Sequence, residues 1–106
     1  MPEVYKRLAA QTIGATKVTA YTVPASTSVI VKGMKVVGIL LTSQWVTIYH
    51  TSGGVEMRLL YNMPIDGLGQ AEWDGTLCLA TGDVIATQAS IAAAFEFTMY
   101  GIEITP

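Results

Sequence analysis

The stretch Ala20–Leu41, AYTVPASTSVIVKGMKVVGILL, decides the fold class. Pro24 has no N–H to give a ladder, so a strand running into it must end or turn there. Ser26, Thr27 and Ser28 follow, and their hydroxyls offer the local hydrogen bonds of a corner. Val29 to Leu41 is dense in β-branched residues and predicts a strand about twice the usual length. Gly33 and Gly38 inside it predict bulges, bends or close backbone approach. A strand bent at those glycines would pass from one sheet to another, as corner strands do in sandwiches.

Reading outward, Lys17–Val23 is the strand that enters the corner. Residues 4–10 fit two patterns, because Val4 and Leu8 have helical spacing while Val4, Lys6 and Leu8 also share a strand face. An edge strand or arm over residues 1–10 is the reading taken, followed by a polar turn, Gln11–Thr16, centred on Gly14. Downstream, Trp45–Thr51 alternates cleanly, and Ser52-Gly53-Gly54 predicts a hairpin into Val55–Tyr61. Asn62–Gln70 is a looser stretch marked by Pro64, Asp66-Gly67 and Gly69. Ala71–Trp73, Thr76–Ala80 and Val84–Gln88 read as short strands separated by Asp74-Gly75 and Thr81-Gly82-Asp83. Ala89–Ala94 has the composition for one helical turn but is too short to hold a helix alone. Phe95, Phe97 and Met99 then alternate with Glu96, Thr98 and Tyr100, and the apolar phase flips at Gly101 to Ile102 and Ile104, as a bulge would make it. About eight or nine short strands with no βα alternation predict an all-β, antiparallel sandwich or jelly roll in a single domain, 1–106.

Charged residues make up 13% of the chain, about half the usual share, while 51% is hydrophobic. Such a surface suits a protein packed against others, and equally a monomer coated with Thr and Ser. Net charge is −2 and the six basic residues are scattered, so no basic patch for nucleic acid is expected. The longest apolar run, Val36 to Leu41, is far short of the ~20 residues needed to span a bilayer, so no membrane partner is expected. The opening Met-Pro-Glu lacks an apolar signal region, which speaks against classical secretion. Cys78, the single cysteine, rules out an intrachain disulfide and fits a reducing compartment. Between Leu77 and Leu79 it is expected to be buried and inert.

Catalytic chemistry finds little support. His50 is the single histidine and sits in an alternating strand, where a half-exposed role is expected. One His and one Cys fall short of a zinc site, and nothing in their settings favours a Cys78–His50 dyad. Asp66, Asp74 and Asp83 each adjoin a glycine, which turn geometry explains, and none lies in a calcium-loop pattern. Glu72 and Asp74 form a weak acid pair. Trp45 and Tyr49, which share a strand face, and Tyr61 and Trp73, which lie near loops, are candidates for a sugar platform, against the commoner fate of core or interface packing. The expectation is a non-enzymatic binding or assembly module with no catalytic residue, no metal and no cofactor.

The segments Tyr21–Lys32 (YTVPASTSVIVK), Trp45-Val46-Thr47-Ile48, Gly82-Asp83-Val84-Ile85 and Tyr100-Gly101-Ile102-Glu103 resemble a family of small tailed-bacteriophage virion proteins, over Tyr5 to the end. The run Gly38-Ile39-Leu40-Leu41-Thr42-Ser43 departs from the polar Asn/Thr-rich loop expected there, and the family motif brings no catalytic residue. The resemblance implies a sandwich subunit of a phage particle, made in the host cytoplasm. Of the roles open to it, capsid decoration (cement) on the outer capsid surface, bound to major capsid protein, is favoured by the low charge and the lack of a fibre repeat. A tail, baseplate or fibre module that recognises a host-surface glycan is the alternative. A homo-oligomer, with a trimer favoured, is the associated expectation. Terminal strands can add to a neighbour's sheet edge, so Val4, Tyr5 and Leu8 of the N-terminal arm and Phe97, Tyr100, Ile102 and Ile104 of the C-terminal strand are the candidate contact residues.

Overall fold

A computed structural model describes residues 3–39, 41, 43–65, 68–91 and 95–105. Its eight strands are β1 (Glu3–Ile13), β2 (Val18–Thr22), β3 (Ser28–Gly38), β4 (Gln44–Ser52), β5 (Val55–Ile65), β6 (Gln70–Leu79), β7 (Val84–Ala89) and β8 (Phe95–Ile104). They form two four-stranded sheets, β1-β8-β3-β6 (sheet A) and β2-β7-β4-β5 (sheet B), with every pair antiparallel. The all-β sandwich read from the sequence is the fold observed. No helix among the described residues is long and apolar enough to cross a membrane.

Alternation builds the core. Val29, Val31, Met34 and Val36 of β3 face inward with Phe95, Phe97 and Met99 of β8, against Val46 and Ile48 of β4 and Ile85 and Ala89 of β7. Each such fully buried larger side chain contributes about 1.5–3 kcal/mol relative to exposure. The inward spacing in β3 jumps from Val31 to Met34 because Lys32 is an extra residue. Register shifts there against both β6 and β8, which is the bulge anticipated at Gly33. Gly38 has the close approach expected of it, since its N–H donates to the Gly69 carbonyl at 2.7 Å.

The long strand does not change sheets at its glycines. β3 stays in the middle of sheet A, and the crossing from sheet B is made at the Pro24 corner, where Ser26 takes a positive φ of 55°. Ser52-Gly53-Gly54 turns as predicted, with φ of 59° and 82° at the two glycines. Three stretches read as breaks are strand instead. β1 runs on to Ile13, β5 continues through Pro64 because it is an edge strand with one side unpaired, and Asp74-Gly75 lies inside β6 as a local irregularity. The Asp66-Gly67 turn and Ala92–Ala94 of the alanine-rich run lie outside the described residues.

The flip at Gly101 has a different cause from the bulge expected within β8. β8 contributes no extra residue: its register shifts against both neighbours, and the extra residues belong to them, Lys32 of β3 and Leu8 of β1 flanking Tyr100. Gly101 continues the inward row after Met99, opposite Val31. A Cβ there would run into the Ile30 carbonyl and stand 3.0 Å from the Val31 Cα. Ile102 and Ile104 therefore do not return to the core. They lie on the outer face.

Candidate functional site

Two polar clusters tie the sheets together. At one end, three segments meet: the corner Val23–Thr27, the turn Ala80–Asp83 and the end of β4. Asp83 Oδ2 accepts the Ala80 N–H at 3.1 Å and faces His50 Nε2 at 3.2 Å, and Ser52 is a further partner. The Val23 N–H donates to the Asp83 carbonyl, the Gly82 N–H to the Val23 carbonyl, and the Thr81 hydroxyl to the Thr27 carbonyl at 2.7 Å. Burial alone would raise the Asp83 carboxyl, but the Ala80 N–H, His50 and Ser52 outweigh it and hold the pKa below its ordinary value. A carboxylate engaged by three structural donors has no free role as a base. His50 points into the seam here, while Cys78 lies on the outside of sheet A, so the two do not form a dyad.

In the second cluster the Tyr21 hydroxyl of sheet B donates to Glu103 of sheet A at 2.7 Å, and Lys6 lies 2.7 Å from the other carboxylate oxygen. Lys6 first and Tyr21 second hold Glu103 below its ordinary pKa, and burial with Glu103 pushes Tyr21 well above its own. Tyr21, Gly82, Asp83 and Glu103 all belong to the segments that carry the phage resemblance. Those segments mark the joints of the sandwich. Among the described residues, no three His, Cys, Asp or Glu side chains are grouped to hold a metal ion.

The outer face of sheet A is divided. Strand register sets Tyr5 of β1 beside Ile102 of β8, Ile102 beside Ile30 of β3, and Ile30 beside Cys78 of β6, one row across all four strands. Ile104 lies next to this row on β8, and Tyr100 on its other side packs its ring over Gly33, 6.4 Å from the Tyr5 ring. Tyr5 is 62% exposed, Cys78 is exposed, and the isoleucines are half-buried. Further along the same face the rows turn polar, with Thr98, Lys35 and Glu72 in register. Glu72 is an exposed residue there, and its possible partner Asp74 has no described side chain.

Of the seven contact residues expected from sequence, Tyr5, Tyr100, Ile102 and Ile104 are brought together on this face. Val4 faces the seam side of β1 yet is 53% exposed, and Leu8 is the bulged residue, packed in part against the core. Phe97 is corrected: at 1% exposure it fills the core and has no surface to offer a partner. The reason given for the C-terminal strand is corrected too. β8 is paired on both sides, so it has no free edge to lend, and β1 is the terminal strand with an open edge. Cys78 is likewise corrected from buried to exposed. With Leu77 and Leu79 turned inward in a strand, the residue between them must point out. Ile30 was missed, because inside Val29-Ile30-Val31 it resembles core and only the register puts it outside.

The outer face of sheet B has a different character. Lys17 pairs with Glu56 and sits 4.7 Å from the Tyr49 ring centre, Arg58 lies 5.9 Å from the same ring, and the Tyr49 hydroxyl donates to Gln88 at 2.9 Å. The Tyr49 ring is thus covered by cations, and Trp73 packs against the core from β6, so neither is an open sugar platform. Trp45 is half-buried beside Pro64.

No family model and no curated protein sequence matches the chain. Solved structures do match. A protein of Bacillus endospore appendages, a family of disulfide-linked pili, overlays with TM-score 0.58 at 18% identity, covering 97% of this chain and 88% of that one. The Drosophila NLP core, studied for pentamer formation and histone binding, overlays with TM-score 0.53 at 11% identity, covering 94% of this chain and all of that one (100%). A pentameric capsid protein from metagenomic phage sequences reaches TM-score 0.44 at 15% identity, covering 97% and 60%, too low a score to carry an argument. At these identities the likeness is one of fold: the chain is an eight-stranded antiparallel sandwich of a kind found in unrelated proteins.

Proposed function

We propose that the chain is a non-enzymatic structural protein of a tailed-phage particle, a decoration protein that stabilises the capsid by gripping major capsid protein subunits on its outer surface. The observation that carries this reading is the apolar half of sheet A's outer face, where Tyr5, Ile102, Ile30 and Cys78 form an unbroken row. Aliphatic side chains on an open sheet face gain about 25 cal/mol for each Å² still exposed that a partner covers. The low charge of the whole chain supports the same reading, as does a fold shared with proteins that build pili and pentamers. The decorating form is a homo-oligomer.

A tail or baseplate module that binds glycan is the competing assignment, and the covered Tyr49 and inward Trp73 weaken it. Cryo-electron microscopy of the particle separates the two. Decoration predicts density for the chain on the head, with the face carrying Tyr5 and Ile102 against capsid protein. Density confined to the tail would sink the proposal.

A further inference from the structure

We infer that the open edge of β1, over Glu3–Arg7, pairs antiparallel with the same stretch of a second copy about a two-fold axis at Tyr5. Four edges are exposed, and three are poorly suited to extension. β2 has only five residues, β5 carries Pro64 and two register shifts against β4, and β6 is irregular between Asp74 and Leu77. By contrast, Glu3–Arg7 runs in unbroken register along β8, from Glu3 opposite Ile104 to Arg7 opposite Tyr100. The bulge at Leu8 ends that regular stretch, which leaves five residues centred on Tyr5.

Those five residues are complementary to themselves. An antiparallel pair centred on Tyr5 sets position 3 of one copy opposite position 7 of the other, acidic against basic, twice over. Centring on position 6 or 7 instead sets Lys6 against Lys6 or Arg7 against Arg7, which like charges disfavour. An inward-pointing lysine often defends an edge, but Lys6 is held within its own chain by Glu103 at 2.7 Å. Val4 and Tyr5, on opposite faces of the strand, are 53% and 62% exposed at the place a partner strand would cover. The pairing also carries the row Cys78, Ile30, Ile102, Tyr5 through the axis into the second copy, doubling the apolar face in one eight-stranded sheet. This two-fold arrangement takes the place of the trimer that the phage resemblance implies, and it does not depend on what the apolar face grips.

Sedimentation equilibrium over a wide concentration range, with and without charge reversal, tests it. A monomer–dimer equilibrium is expected. Glu3→Arg or Arg7→Glu alone should weaken it about tenfold, since each alters both symmetric pairs, and the two changes together should restore it. In a Cys78→Ser background, Tyr5→Cys should cross-link two chains on oxidation, because directly opposed residues lie about 4.5–5.5 Å apart, within disulfide reach. Thr12→Cys, exposed beyond the bulge, should not. A monomer at every concentration, a trimer, a dimer indifferent to both reversals, or equal cross-linking from position 12 would overturn the inference. If Tyr5→Cys fails to fold, the charge pair decides alone.

Discussion

The two outer faces of this sandwich are built on the same period-two rule and present opposite chemistry. Sheet B faces outward with Tyr49, Gln88, Glu56 and Arg58, and these groups satisfy one another within the chain. Half of sheet A faces outward with Tyr5, Ile102, Ile104 and Ile30, which have no polar role there. A face whose groups are already partnered gains little from contact. A face of aliphatic side chains gains wherever water is displaced. On the proposed function, sheet B faces solvent and the apolar half of sheet A's outer face meets a partner.

The largest effects are expected on the inward row of β8, which holds the two sheets together. Phe97→Ala removes a fully buried ring and should cost about 3–5 kcal/mol in urea unfolding, with a cavity left between the sheets. Gly101→Ala drives a Cβ into the Ile30 backbone, which cannot move aside as a side chain can, and should cost about 1–3 kcal/mol. A neutral Gly101→Ala would contradict the close approach of Gly101 to the Ile30 backbone.

The seam between the faces comes next. Asp83→Asn should destabilise by about 1–3 kcal/mol, because Ala80, His50 and Ser52 lose a charged acceptor. The sign with pH follows from both seam carboxylates. Asp83 and Glu103 titrate below their ordinary values of 3.8 and 4.5, so the unfolded chain takes up protons first as the solution is acidified. Their contributions are whole above those values and are lost as pH falls through the lower folded ones. Unfolding midpoints measured from pH 6 down to pH 2 should therefore fall at the acid end, and less steeply in Asp83→Asn. The smallest effect belongs to sheet B. Lys17→Ala loses an exposed ion pair and a cation–π contact and should cost less than about 1 kcal/mol, read as a small shift in denaturation midpoint.

Much of this was legible in the chain. Pro24, the Ser52-Gly53-Gly54 hairpin and the bulge at Gly33 follow from backbone chemistry that acts within a few residues. What escaped depends on partners distant in sequence. Asp74-Gly75 looks like a turn until β3 pairs along β6 on both sides of it. Ile30 looks like core until its register with Ile102 and Cys78 is known. The change of phase after Met99 was visible, but its cause lies in extra residues on the two neighbouring strands, at Leu8 and Lys32. Of the candidate contact residues, Tyr100, Ile102 and Ile104 lie on an outer sheet face, and their strand lacks the free edge expected of it from sequence.

Co-sedimentation with phage heads lacking this protein tests the division of faces most directly. Ile102→Lys places a charge in the apolar row of sheet A, and Thr22→Lys places one on the exposed edge strand of sheet B. With both variants shown to be folded, the account predicts that Ile102→Lys no longer binds heads while Thr22→Lys binds as the unaltered protein does. Retained binding by Ile102→Lys together with loss in Thr22→Lys would contradict it.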